Sequence, residues 1–231
     1  MIENFPWIIE FAFFMLTIVT VLLFHWSNSG PTKITILLFL WGAIHSLLAY
    51  NGFYENVTAR PPRFAFILIP GFVAIGYGLT PKSLAWVKQC RNTSISTFLH
   101  TVRLPVELTL HYLFTWQLIP ELMTYTGRNF DIIMGITAPI VGYFYYKNKL
   151  SITALIAWNI VGLFLVSFIL INGVLSAELP IQQFAFEQPN VAVKYFPFVL
   201  LPALIVPIVI YTHLTDIILW RRAMKEEAKD N

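Results

Sequence analysis

Cysteine occurs once in the 231 residues, at Cys90, which rules out an internal disulfide and any zinc or iron–sulfur centre built on several thiolates. Charge is nearly as scarce. Charged residues make up 12% of the chain and hydrophobic ones 57%, with a mean hydropathy of +0.68, a balance outside ordinary soluble usage. Catalytic signatures are missing as well: there is no Gly-rich phosphate loop, no Gly-x-Ser-x-Gly elbow and no His-Glu-x-x-His pair. No lysine lies between Lys194 and Lys225, so the last apolar run cannot hold retinal as a Schiff base. Neither a basic leader nor a small-residue cleavage site flanks the first apolar run, which is therefore expected to stay as a span. The formal charge of +3 is scattered through connections and the C-terminal tail without a continuous patch, which speaks against nucleic acid as a partner.

What remains is sequence suited to a lipid bilayer. Apolar runs of spanning length fall at 5–26, 34–53, 64–80, 96–119, 130–146, 152–172 and 196–220. They predict an all-α bundle of seven transmembrane helices, a single integral membrane domain over 1–231 with no room for a soluble one. The third run is the weakest, because Pro70, Gly71, Gly76 and Gly78 interrupt it. Orientation follows from counting basic residues in alternate connections. One side holds Lys33, Lys82, Lys88, Arg91, Lys147, Lys149, Arg221, Arg222, Lys225 and Lys229; the other holds Arg60, Arg63, Arg128 and Lys194. With Arg103 inside a span, this puts the N-terminus outside and the C-terminus in the cytoplasm.

Arg103, Glu107 and His111 recur at steps of four within the fourth run. On a helix they share one face, drifting about 40° per step, and His100 and Thr115 extend the stripe at its ends. Ionisable groups at bilayer depth face protein or a wet cavity, which makes these three the expected catalytic group. In that scheme Glu107 is a general acid or base tuned by Arg103, and His111 is its proton partner. Because Arg precedes Glu, the less favourable order for a pair within one helix, at least one of them is expected to bond across helices. Pro105 between them should kink the span.

His45 could reach the level of His111. Two such imidazoles can ligate a haem or, with Glu107, a divalent metal. The spacing permits this without favouring it, so no metal site is assigned and the cofactor is left unknown. Asn159 in the sixth run is expected to bond across helices. Pro197, Pro202 and Pro207 should bend or unwind the outer half of the seventh, while His213, Thr215 and Asp216 are placed near the inner surface and Glu10 near the outer one. Two connections are rich in hydrogen-bonding groups: 120–131, with Glu121, Arg128, Asn129 and Asp131, and 173–195, with Glu187 and Asn190. They are expected to roof an intramembrane pocket and to contribute binding residues.

The segments Arg103-Leu-Pro-Val-Glu107, Met123-Thr-Tyr-Thr-Gly127-Arg-Asn-Phe-Asp131 and Gly135-Ile-Thr-Ala138 resemble those of a widespread group of small bacterial membrane proteins of uncharacterised function. The likeness runs on through Trp158-Asn159 and Gln188-Pro-Asn190 to the last span. It implies a bacterial inner membrane and supplies no activity. A fainter likeness is to carotenoid enzymes of the lycopene-cyclase type, whose spans carry a Pro-x-Glu-Glu motif before aromatic residues. Here Pro105-Val-Glu107-Leu has one carboxylate where that family has two, and no catalytic role is carried over.

The leading expectation is a pocket around the fourth span that binds or transforms an apolar or amphipathic small molecule, lipid- or isoprenoid-like. The alternatives are a small proton-coupled transporter, with Glu107 and His111 as relay and the bent last helix as gate, and an assembly subunit without a pocket. Whether the chain forms oligomers is not readable from its residues.

Overall fold

Apolar runs form long helices where proline spares them, and proline marks most of the places where this chain bends. The structure, a computed structural model, describes residues 2–230, and among these every regular element is helical. The helices α1 (Trp7–Ser27) and α2 (Thr32–Tyr50) are joined by a short turn. α3 (Ala65–Gly78) is only 14 residues long and contains Pro70. α4 (Pro81–Cys90) follows at 75° to it. Pro81 opens α4 at a position whose missing N–H would have had no helical partner. The helix buries Leu84 and Val87 and exposes Lys82 and Lys88.

α5 (Thr93–Leu99) begins at Asn92, whose side chain accepts from the Ile95 N–H at 3.1 Å. A 3-10 turn, His100–Val102, leads into α6 (Arg103–Thr115). The change of pitch falls where Pro105 cannot donate to the Thr101 carbonyl. α7 (Ile132–Tyr146) is short, and α8 (Ile152–Leu175) is capped by Ser151, whose hydroxyl accepts from Ala154 N–H at 3.2 Å. A π-helical turn, Leu201–Ile205, then opens α9 (Val206–Asp230).

By length and composition, Trp7–Ser27, Thr32–Tyr50, Ile152–Leu175 and the continuous Leu201–Glu226 can each cross a membrane, with a fifth span if α3 and α4 count as one bent pair. The run expected at 96–119 is divided by the 3-10 turn, and the one at 130–146 becomes a helix only from Ile132. The protein is thus all-α with several membrane-length apolar helices. The last helix is central: 61% of its apolar window is buried, against 22–33% in the other three. α8 packs along it, and α5 lies between α1 and α7.

The break in the last helix has a chemical cause and a repair. Pro207 has no N–H to offer the Ala203 carbonyl four residues earlier, and the indole Nε1 of Trp41, on α2, donates to that oxygen at 3.2 Å. Unwinding of the outer half, expected from the three prolines, takes the form of the π turn. Trp41→Phe keeps the ring and removes the donor. We expect it to lower stability by about 0.6–2 kcal/mol, read as a lower thermal unfolding midpoint in detergent, with helical content by circular dichroism unchanged.

Candidate functional site

Arg103 is the first residue of α6 and is 2% exposed. A guanidinium at such a site needs its donors filled, and three helices fill them. Its Nε donates to Asp131 Oδ2 at 2.5 Å, and Nη2 donates to Asp131 Oδ1, completing a two-pronged pair. Nη2 also reaches the Gly162 carbonyl in α8 at 3.1 Å, and Nη1 reaches His213 Nε2 in α9 at 2.9 Å. Asp131 stands at the N-terminus of α7, where the helix dipole further favours its negative charge.

These contacts fix the tautomer of His213. Arginine can only donate, so Nε2 of His213 is the acceptor and its proton sits on Nδ1. Nδ1–H then donates to Asn159 Oδ1 at 2.8 Å, and Asn159 Nδ2 donates to the Leu155 carbonyl at 2.9 Å. His100 lies over His213, with ring centroids 3.8 Å apart and planes 13° from parallel. The Trp158 ring closes the stack edge-on to His100 and is itself held by Thr137, whose Oγ1 accepts from Nε1 at 3.0 Å. Gly162 makes this packing possible: a Cβ there would run into the His213 imidazole and come within 2.6 Å of the Met134 methyl.

Glu107, one turn after Arg103, is 1% exposed. Its partner is not an arginine. Asn129 Nδ2 lies 2.7 Å from Oε1 and 2.6 Å from Oε2, while Asn129 Oδ1 accepts from the Asp131 N–H at 3.1 Å, so the amide cannot be turned around. The 120–131 connection thereby holds the two acids of the site, one at each end of Asn129. A cavity of about 60 Å³ opens beside Glu107, with Arg103 and Asp131 in its wall and apolar side chains from α8, the π turn and α9 around the rest.

Of the residues expected at a site, Arg103, Glu107, Asn129, Asp131 and Asn159 meet in one network, and Asn190 lines the same cavity. Arg103 bonds across helices, meeting the expectation that at least one of the two would, while Glu107 bonds to Asn129 in the 120–131 connection. The 173–195 connection covers the end of α6: Gln188 donates to the Phe114 and Ile119 carbonyls at 3.2 and 2.6 Å, and Asn190 donates to the Gly173 carbonyl at 3.1 Å. His111 is half-buried against Tyr125, with centroids 4.7 Å apart, and Thr115 is exposed, so the stripe leaves the interior before it ends. Glu121, Arg128 and Glu187 are exposed.

His45 packs elsewhere, on the Trp41 ring and the Tyr54 hydroxyl, the latter 2.5 Å from Nδ1. Burial pushes the Tyr54 hydroxyl up, which keeps it protonated. His45 and His111 share no neighbour in these contacts. Among the described residues no group of three or more His, Cys, Asp or Glu side chains is arranged to hold a metal ion.

Several placements differ from the sequence reading. His213, Thr215 and Asp216 do not reach water at an inner surface; they are 0%, 0% and 1% exposed. Arg91, counted as a loop charge, is buried on Asp216 with Nε 3.0 Å from Oδ1. Glu10 is buried as well, at 3%. For the groups of α5–α6 and α9 the placement goes with spacing: Ser96, His100, Arg103 and Glu107 follow one another at +4, +3 and +4, and His213 and Asp216 at +3. Two such stripes face each other across α5–α6 and α9. That signal was present in the sequence, but the partner stripe could be recognised only by knowing which helices touch.

The fold and this ionic seam define a class: an all-helical protein with membrane-length helices and charged groups buried among them. The chain belongs to the family described as a domain of unknown function, DUF8737, which it matches over residues 66–221. That stretch includes every residue of the seam from Arg91 to Asp216. No curated protein and no solved structure matches the chain.

Removing one partner of a buried pair leaves the other charge uncompensated, at a cost of about 3–5 kcal/mol. Arg103→Leu is expected to destabilise by that amount in detergent unfolding, and Arg103→Leu with Asp131→Leu to recover most of the loss. Gly162→Ala should fall with Arg103→Leu, because it displaces His213.

Proposed function

We propose that this chain is a seven-span protein of a bacterial inner membrane, one integral domain with its N-terminus outside and its C-terminus in the cytoplasm, and that its buried seam carries protons. The count of seven adds α3, the α5–α6 run and α7 to the four long helices. α4, with Leu84 and Val87 inward and Lys82 and Lys88 outward, suits a helix lying along the inner surface. The basic residues at alternate connections support the orientation.

The observation that carries the proton reading is the setting of Glu107. Asp131 is tied to an arginine, whereas both Glu107 oxygens are held by a neutral amide. Glu107 can therefore gain or lose a proton without breaking an ion pair. The cavity beside it, at about 60 Å³, has room for a few water molecules and falls far below the roughly 300–1,000 Å³ of small-molecule pockets. Pro202 of the π turn lines that cavity, and broken helices at such sites are where transporters bend.

A second reading is a site for an amphipathic, lipid- or isoprenoid-like molecule apart from Glu107. It draws on an apolar groove of about 530 Å³ between α1, α2 and the start of the last helix. The hydroxyls of Thr17 and Ser46 in its wall are spent on carbonyls of their own helices. Leu200 and Leu204 face this groove while Leu201 and Ile205 face the Glu107 cavity, so the π turn separates the two.

In liposomes containing the full chain, an imposed potential should drive acidification of the lumen, read by a trapped pH-sensitive dye. Glu107→Gln, which keeps the shape and an acceptor for Asn129, should slow it at least about 100-fold. Wild-type vesicles no faster than empty ones would overturn the proton reading.

A further inference from the structure

The seam does not end at the stacked histidines. One turn along the same two stripes, Asp216 follows His213 by three residues and Ser96 precedes His100 by four. Ser96 Oγ donates to Asp216 Oδ2 at 2.6 Å. Arg91 Nε stands 3.0 Å from the other carboxylate oxygen, and the guanidinium also donates to Thr215 Oγ1. The Arg91 and Asp216 side chains are 3% and 1% exposed. A second buried arginine–aspartate pair thus lies on the other side of His100 and His213, held by a single charge contact where the first is two-pronged.

Along α5 and the turn after it, and on Arg91 just before it, lie polar atoms that no protein group satisfies among the described residues: Thr97 Oγ1, both ring nitrogens of His100, Thr101 Oγ1 and Arg91 Nη1. Thr97 and His100 are 1% and 0% exposed. All five atoms belong to residues 91–101, on or beside α5. Buried polar groups in native proteins are satisfied by protein or by bound water, and a site polar on several sides holds water well.

We propose, resting on the proton reading above, that Asp216 is a second proton-exchanging carboxylate, joined to the Arg103 site by water bound along Thr97, His100 and Thr101, with Arg91 as the counter-ion that closes this end. A proton reaching Asp216 forms an O–H bond on the carboxylate and cancels the charge that holds Arg91; its departure to water restores both. His100 passes a proton by accepting on one ring nitrogen and releasing from the other. No other covalent bond changes. The pair of arginines disfavours a metal cation in the same row, whereas a hopping proton needs only the water and the two acids. The groups facing Asp216 are Arg91 and Ser96 from the α4–α5 side, Tyr145 at the end of α7, and Tyr211 on its own helix.

The test uses the full chain in liposomes, with infrared difference spectra between acid and neutral bath beside the dye assay. Two protonated-carboxyl signals are expected, one lost in Glu107→Gln and the other in Asp216→Asn. Asp216→Asn should slow proton entry at least about 100-fold while the Glu107 signal persists. If that variant is too unstable to purify, Ser96→Ala, which removes one hydrogen bond from the same carboxylate, should shift the Asp216 signal and leave that of Glu107 in place. Thr97→Val with Thr101→Val should slow entry without removing either signal. A silent Asp216 at every pH, with proton entry in Asp216→Asn equal to wild type, would overturn the proposal while Glu107→Gln still blocked. Loss of the Glu107 effect would instead remove the reading on which it rests.

Discussion

Burying the guanidinium of Arg103 is the constraint around which this interior is arranged. A planar group with five N–H donors and no means of losing its charge must find acceptors in fixed directions. Asp131, the Gly162 carbonyl and His213 Nε2 occupy those directions. Each requirement passes to the next residue. Accepting from arginine forces His213 into one tautomer, that tautomer needs the Asn159 oxygen, and the Asn159 amide is spent on a carbonyl of its own helix. Four elements, α6, α7, α8 and α9, are thereby set in register by one side chain. Only a residue without Cβ leaves room for the His213 ring at position 162.

Proline supplies the second organising influence, through the carbonyls it leaves without helical donors. In the last helix the freed Ala203 oxygen is taken by Trp41 from another helix, which ties α2 to the bundle although most of its surface faces outward. In the α5–α6 run Pro105 coincides with a 3-10 turn, and the tighter pitch brings His100 and Arg103, three residues apart, onto the same side. A regular helix through this region would separate them by about 60°. The break that makes the fourth apolar run look defective as a span is what aligns its polar face.

Much of this was legible in the residues. Composition and run length gave an all-helical protein with membrane-length helices, and steps of four picked out Arg103 and Glu107. The density of hydrogen-bonding groups at 120–131 pointed to Asn129 and Asp131, which the structure brings to those two side chains. What periodicity could not supply was partnership. His213 and Asp216 lie near the end of an apolar run, where sequence distance suggests an aqueous boundary. Their burial arises because α9 is the central helix, a property of packing and not of its own composition. Arg91 was misread for the same reason: a basic residue between apolar runs is ordinarily a topology signal, and only the nearness of Asp216 makes it an interior one. Conversely, Glu121, Arg128 and Glu187 shared the polar character of their connections but are exposed.

The charge balance of the seam separates its acids by role. Asp131 and Asp216 each face an arginine, so a proton added to either leaves a buried cation without its counter-ion, a change that the surrounding structure must answer by moving. Glu107 faces an amide, so its protonation leaves no such cation behind. An acid of the second kind can load and unload with the bundle at rest; acids of the first kind turn protonation into displacement. A protein that only needed to lock its helices would be served by the two ion pairs alone. The third carboxylate, placed between Arg103 and a water-sized cavity and held by a neutral donor, adds burial cost without adding a salt bridge, and it is this surplus that points to chemistry instead of architecture.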